Sequence, residues 1–450
     1  MNHFIPRNMN NKEYSTSAEP VLKEMAHLTK TEVKVGYKKT KMGWIPEEWE
    51  IKLLGDFFEF KNGLNKGKEF FGFGTPIINY MDVNKKDSLK NEDITGKVSL
   101  TKNEIRRFNI RKGDVFFTRT SETIEEIAYS TVLLEDIKDG VFSGFVLRAR
   151  PKNKDILNID FTKYCFSTNL ARQEIMSKST FTTRALTNGR FLSEVNLLIP
   201  PLPEQQKIAQ ILTTWDKAIA LQEKLIAKKQ ALKKGLMQEL LTGKKRFPGF
   251  EGEWEEVSLE EVCDVKGKYG IGAAAVEFSN DLPRYLRITD IDDDGNYSPK
   301  KEVSVSDKNW SEYVLEEGDI LFARTGNTTG KTYLYKKNDG VLVYAGFLIK
   351  FAPNPNILNS KFLKFYAQTK QYWNWVQTMS VRSGQPGINS NEYGKLKLLL
   401  PSIEEQQKIV AVLSNFDTII ENLNKYKNSL IQQKQGLMQQ LLTGEKRVNV

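Results

Sequence analysis

The chain has 450 residues, 40% of them hydrophobic and 11% aromatic, and a formal charge of +10. That length exceeds what one hydrophobic core normally serves, so two or more domains are expected, and no run of about 18 apolar residues is present for a membrane span. The only cysteines, Cys165 and Cys263, form neither a disulfide framework nor a zinc cluster, and the only histidines, His3 and His27, leave the main body without histidine acid–base or metal chemistry.

In chain order, residues 1–42 read as a polar, flexible leader without a secretory signal, with one short helix expected near Val21–Leu28. Residues 43–202 read as a mixed α and β globule. Strands are expected at Pro76–Tyr80, Asp114–Thr118, Val141–Leu147 and Val195–Ile199, and a helix at Phe161–Met176. Residues 203–246 read as a long helix, 247–402 as a second mixed globule with a helix at Lys361–Gln377, and 403–447 as a second long helix. The first long helix concentrates the positive charge, with 10 Lys and Arg against 4 Asp and Glu over 204–246. The two globules are nearly balanced, so a polyanionic partner would meet them only through local patches.

The chain repeats itself. Pro203-Glu204-Gln205-Gln206-Lys207-Ile208 returns as Glu404-Glu405-Gln406-Gln407-Lys408-Ile409, and Gly235-Leu236-Met237-Gln238-Glu239-Leu240-Leu241-Thr242-Gly243 returns as Gly436-Leu437-Met438-Gln439-Gln440-Leu441-Leu442-Thr443-Gly444. Both returns are 201 residues apart, with no gap between the anchors. Apolar residues recur at nearly a 3.5-residue period, among them Ile208, Leu212, Leu225, Ile226 and Leu232 in the first copy and Ile409, Leu413, Tyr426 and Leu430 in the second. Ser402 with Glu405 forms a capping-box pattern, Pro203 suits a first helical turn, and Gly243 followed by Lys244, Lys245, Arg246 and Pro248 marks a stop. A helix of roughly 38 residues at ~1.5 Å per residue is about 57 Å long. Two equal apolar stripes in one chain have each other as partners. A twofold repeat then places the end of the second helix, near Arg447, where the first globule begins, near Trp49, and the helices run antiparallel. The globules match more loosely: Lys112-Gly113-Asp114-Val115-Phe116-Phe117-Thr118-Arg119-Thr120 parallels Glu317-Gly318-Asp319-Ile320-Leu321-Phe322-Ala323-Arg324-Thr325.

These doubled motifs resemble the specificity subunits of type I restriction–modification systems over about residues 43–447. The resemblance implies an α+β fold: two mixed α/β target-recognition domains in tandem repeat, joined by two long antiparallel coiled-coil helices. It implies that each domain reads one half of a split target in double-stranded DNA while the helices set the spacer. It also implies docking of two modification (methyltransferase) subunits, with separate restriction (motor and nuclease) subunits, in the cytoplasm. S-adenosylmethionine, ATP and Mg belong on those partners, and this chain carries no catalytic, cofactor or metal site. Half-sites one turn apart lie about 34 Å from each other, a span that helices of this length can hold. The alternative is a coiled-coil scaffold that binds protein only, which leaves the matched Arg-Thr segments idle.

Three sets of residues are candidates for DNA. Arg119-Thr120 and Arg324-Thr325 place an arginine at the end of an apolar strand, where it can fork onto guanine or a phosphate; a salt bridge to a carboxylate is the plain alternative. Thr180-Phe181-Thr182-Thr183-Arg184 with Arg190 matches Ser380-Val381-Arg382-Ser383-Gly384-Gln385, where Gln385 can pair with adenine. Lys61, Lys66, Lys68, Lys266 and Lys268 lie in glycine-bearing loops, with solvated lysines the equal alternative. Gly326–Thr332 resembles a nucleotide-binding loop but has three residues between its glycines instead of four, so a turn, or a DNA-facing loop with Lys331 on phosphate, fits better. Phe70-Phe71-Gly72-Phe73-Gly74 fits a loose adenosylmethionine-site pattern, but Thr75-Pro76 starts no helix after it; core or a DNA-facing loop is the expectation. The acidic run Asp290–Asp294 reads as a solvated turn around Gly295.

Overall fold

The computed structural model describes residues 34–153 and 155–449, and the helix expected near Val21–Leu28 lies outside them. The chain divides into two compact units, one running to Lys217 and resuming at Leu430, the other spanning Ala218–Ser429. Each unit thus holds one globule, the start of one long helix and the end of the other. Those helices, Leu202–Leu240 and Ile403–Leu442, are 39 and 40 residues long and rich in Leu and Gln, with Ala and Lys adding to the first. Gly243 and Gly444 follow their ends with φ of +71° and +73°, the left-handed conformation that lets a helix stop.

In the first unit Tyr37–Thr40 and Gly43–Pro46 form a hairpin, and the Tyr37 hydroxyl donates to the Gly444 carbonyl at 2.8 Å. The strand Glu50–Leu53 pairs antiparallel with Asn196–Ile199, so the globule closes on its own two ends. Its main sheet runs, in spatial order, Phe58–Asn62, Val146–Pro151, Val115–Thr118, Ser130–Leu133 and Ser88–Leu89. The second unit repeats the plan. Glu255–Ser258 pairs with Lys397–Leu400, and the main sheet runs Cys263–Tyr269, Leu348–Pro353, Ile320–Ala323 and Thr332–Leu334.

The Gly-Asp motif is mostly a folding device. Gly113 and Gly318 have φ of +87° and +99°. Asp114 and Asp319 are buried, and each accepts an N–H three residues back, from Arg111 and Glu316, at 2.8 Å. Each is neutralised from the neighbouring strand, Asp114 by Arg150 at 2.6 Å and Asp319 by Lys350 at 3.0 Å.

The helices run antiparallel within each unit. Ile208 and Leu212 share a core with Leu437 and Leu441 in the first, and Met237 and Leu240 share one with Ile409 and Leu413 in the second. Matching ion pairs cross the seam, Lys434 to Asp216 at 2.6 Å and Lys233 to Asp417 at 2.5 Å. The ends are tied by a repeated buried node. Glu204, 1% exposed, accepts the Trp49 indole N–H at 2.8 Å and the Arg447 Nε–H at 2.7 Å. Glu405 likewise holds Arg246 at 3.0 and 2.7 Å, while the Trp254 indole N–H finds no partner among the described residues. Each carboxylate holds its arginine above the ordinary guanidinium pKa through that hydrogen bond. The next residue is also buried. The Gln205 amide donates to Pro200 and Ile156 carbonyls and accepts the Asn158 N–H; Gln406 does the same with Pro401, Ile357 and Asn359.

Four expectations change. Each predicted globule helix is two, Ile159–Cys165 with Asn169–Lys178 and Ser360–Tyr366 with Lys370–Met379, because Thr168 and Thr369 cap the second member through their side chains. The strand expected at Val141–Leu147 is interrupted by a tight turn, Val146 N–H to Ser143 carbonyl at 3.0 Å. The capping box at Ser402 is half formed: its hydroxyl accepts the Glu405 N–H at 3.4 Å, but the Glu405 carboxylate is spent on Arg246. Leu225, Leu232 and Tyr426 are exposed, so the buried seam is narrower than the apolar stripe. Glu204→Ala should cost about 2–4 kcal/mol of unfolding free energy, less than a fully buried lone charge because Arg447 keeps contact with water. Urea denaturation measures it, and Glu204→Gln, which leaves an acceptor for the indole, should lose less.

Candidate nucleic-acid interface

The strand Val115–Thr118 ends at Arg119, whose main chain is held from both sides. Its N–H donates to the Phe145 carbonyl at 3.3 Å and its carbonyl accepts the Thr187 N–H at 3.0 Å. Thr120–Ser121 then pairs with Ala185–Leu186, which pairs with Thr180–Phe181. The second unit has the same frame. Arg324 N–H donates to the Phe347 carbonyl at 3.0 Å, and its carbonyl accepts the Ile388 N–H at 2.9 Å. Thr325 bridges to Gly387, and the Gly326 N–H donates to Pro386 at 3.0 Å. A β-carbon at Gly326 would sit 2.8 Å from Gln385 Nε2, so Arg324, Thr325 and Gln385 are assembled side by side. Two loops about 60 residues apart in sequence, singled out separately, therefore meet in each unit.

The arginines differ in their settings. Arg119 Nη1 donates to the Gly144 carbonyl at 2.9 Å, whereas the Arg324 guanidinium lies 4.9 Å over the Tyr269 ring. Neither Nε finds a hydrogen-bond partner among the described residues. Arg184 and Arg190 are exposed, each 3.9 Å from a carboxylate, Glu122 and Glu194. Such long exposed pairs hold little energy and release an arginine readily. Arg382 is more committed, with Nη2 at 2.6 Å from both Glu392 oxygens. Lys331 does not join the cluster; it pairs with Asp293 at 2.6 Å.

Of the lysine set, Lys61 donates to the Arg107 carbonyl, Lys66 pairs with Glu104, and Lys268 donates to the Glu312 carbonyl. Gly326–Thr328 is one 3₁₀ turn, and a strand, Thr332–Leu334, follows it, so the segment has no helix N-terminus to receive phosphates. Phe71–Gly74 form the start of the strand Phe71–Ile78, with Phe70, Phe71 and Phe73 exposed, which removes the core reading. Asp292 accepts the N–H groups of Asp294 and Asn296, closing the turn around Gly295. Sequence reasoning passed over Phe145 and Phe347, which flank the two arginines and are exposed. Their signal was the Gly-Phe pair repeated at Gly144-Phe145 and Gly346-Phe347.

Lys331 instead lines a cleft of about 1510 Å³ in the second unit, together with Lys233, Asp292, Lys336, Lys364 and Asp417. Burial pushes the Lys364 ammonium down to about 8; Lys336 and Lys233 add to the shift, and Asp417 and Asp292 oppose it.

Two related α+β units thus each present an arginine at a strand end beside a returning loop and exposed aromatics. The family model described as "Type I restriction modification DNA specificity domain" matches residues 46–229 and 251–432, and the chain belongs to that family. It is 24% identical over 423 residues to the type I restriction enzyme MjaVIII specificity subunit of Methanocaldococcus jannaschii, covering 90% of this chain and 94% of that one. It is 24% identical over 431 residues to the EcoKI specificity subunit of Escherichia coli, covering 89% of each. A chain solved in work on complex assembly and conformational transition of the type I R-M system superposes with a TM-score of 0.57 at 18% identity, over 89% of this chain and 99% of that one. The chain is a type I specificity subunit, and its role is DNA recognition.

Two outcomes follow from these geometries. Arg324→Ala should weaken binding to all duplexes and lower the salt slope by about one unit, the signature of a lost phosphate contact. A loss of ~1–3 kcal/mol confined to one half-site would assign the arginine to a base, and unchanged affinity would reject both roles. Lys364→Met should stabilise the chain at pH 7 by about 1–3 kcal/mol. Below pH 8 the native chain bears the full cost of the buried ammonium; between about 8 and 10.5 only the unfolded chain keeps the proton, so native stability climbs. The advantage of the variant should shrink over that window in denaturation measured against pH.

Proposed function

We propose that each globule reads one half of a bipartite, asymmetric DNA target and that the long helices fix the spacer between the halves. One observation carries this reading: the same arginine-centred frame occurs in both units with different side chains around it. Thr187 meets the Arg119 carbonyl on a segment that carries Thr183-Arg184, whereas Ile388 meets the Arg324 carbonyl on a segment that carries Gly384-Gln385. An identical frame with different loops suits two readers of different base sequences. The nine positions proposed to touch DNA are Arg119, Thr120, Arg184, Arg190, Arg324, Thr325, Lys331, Arg382 and Gln385. For Arg382 and Lys331 this requires exchanging Glu392 and Asp293 for phosphate.

The chain reads as a recognition subunit without catalytic groups of its own. It would work in the cytoplasm with two modification subunits that bring S-adenosylmethionine and with restriction subunits that bring ATP and Mg. The exposed Leu221, Leu225, Leu232 and Tyr426 on the long helices supply apolar surface for such docking. Among the described residues no helix is long and apolar enough to cross a membrane. A scaffold that bound protein only would leave both arginine frames without a task.

Methylation mapping in the host tests the reading. Replacing residues 43–200 with the matching domain of a relative should change one half of the methylated target and leave the other half and the spacer intact. A change in both halves, or a continuous palindromic target, would refute it.

A further inference from the structure

Two diverged units keep one exposed side chain at the same place. Phe145 is 68% exposed and Phe347 57%, although the neighbours Phe142, Val146, Tyr344 and Leu348 are fully buried. Each phenylalanine is the third residue of a tight turn, closed by Val146 N–H to Ser143 carbonyl at 3.0 Å and by Leu348 N–H to Ala345 carbonyl at 2.8 Å. The glycine before it is pinned to the segment just past an adjoining strand, Gly144 N–H to Leu64 carbonyl at 2.6 Å and Gly346 N–H to Ile271 carbonyl at 2.7 Å. A β-carbon at Gly144 would lie 1.9 Å from Asn65 Oδ1, and one at Gly346 would lie 3.2 Å from the Ile271 oxygen. The turn is thus pressed onto its neighbour, and the phenylalanine carbonyl accepts the arginine N–H on the other side. The backbone gives the ring no route back to the core. A large apolar side chain held out on a rigid turn awaits a partner surface. A second exposed apolar residue, Phe181 or Val381, lies in the segment that returns to each arginine.

We infer that Phe145 and Phe347 are duplex wedges: in each half-site the ring enters the groove beside its arginine and inserts at one base step, partly unstacking it. This rests on the proposal that each unit binds half of a DNA target. The argument is one of shared against private chemistry. The loops that differ between the units suit what differs between the half-sites, the base edges. The residues both units retain suit what every duplex offers: phosphates for Arg119 and Arg324, and base faces for the phenylalanines. An arginine that draws the backbone in beside a rigid apolar ring is the arrangement by which proteins kink or unstack a duplex, and the ring needs no particular base because every base has a π face.

The test uses the full-length chain assembled with its partner subunits and a duplex of about 40 base pairs, some four helical turns. The duplex carries the target found by methylation mapping, with 2-aminopurine placed singly along each half. Binding should brighten the probe at one step in each half. Phe347→Ala should abolish the signal in its own half only, Phe145→Ala in the other, each with a loss of affinity of ~10-fold and an unchanged salt slope, since no phosphate contact is removed. Both variants should melt at the wild-type temperature, as befits surface residues. Brightening that persists in the alanine variants overturns the inference, as does unchanged affinity. Normal DNA binding with impaired assembly of the complex also overturns it, because the rings would then dock protein. If the wild-type complex shows no preference for the target duplex, the proposed function fails first, which separates the two failures.

Discussion

Burying a carboxylate is costly unless a cation and hydrogen-bond donors come with it, and this chain buries one at the start of each long helix. Glu204 is matched by Arg447, which lies just past the end of the other helix. The same carboxylate takes the Trp49 indole, which anchors the start of the globule. Three stretches of chain far apart in sequence are thereby forced to one point, and the antiparallel register of the helices follows. Glu405 and Arg246 repeat the constraint in the second unit. The neighbouring Gln205 and Gln406 add a second staple, each amide shared between a carbonyl and an N–H of the loop before the globule helix Ile159–Cys165 or Ser360–Tyr366. Leaving any of these buried polar groups unpaired would cost more than the pairing gains, so they specify the arrangement more than they stabilise it.

A second division of labour runs through the strand motif. Its glycine shapes a turn that its aspartate braces, its apolar residues fill the sheet, and beyond the exposed Lys112 or Glu317 at its start only its final arginine and threonine reach the surface. Folding residues and the proposed DNA contacts thus share one nine-residue stretch, which recurs in both units although the loops around it do not. The frame fixes the arginine main chain on both sides, so the loops can vary without moving it. The two arginines nonetheless end in different surroundings, a carbonyl for Arg119 and a tyrosine face for Arg324, each of which orients the guanidinium without neutralising it.

Much of this was legible in the sequence because it depends on repetition and local chemistry. The gapless 201-residue return, the period of the apolar stripe and the glycines at its ends determined the long helices, the doubled domains and the antiparallel pairing. The doubled Gly-Asp-to-Arg-Thr motif picked out the arginines. Tertiary structure alone decided what each side chain touches. The helices 159–178 and 360–379 break because Thr168 and Thr369 cap a second helix, an outcome that apolar periodicity does not register. Glu405 leaves its capping box for an arginine 159 residues away, since a charge-assisted bond in a buried site outweighs a local one. Lys331 looks equivalent to the other candidates in sequence, yet it pairs with Asp293 in a cleft, while Gln385 comes to Arg324 from 61 residues away. Phe145 was hidden inside a strand pattern because the turn that exposes it is set by contacts of Gly144 with Leu64 and Asn65, just past the strand Phe58–Asn62. Local sequence determines the period and the ends of an element; which face is spent on a partner, and which is left for DNA, depends on groups that meet only when distant segments pack.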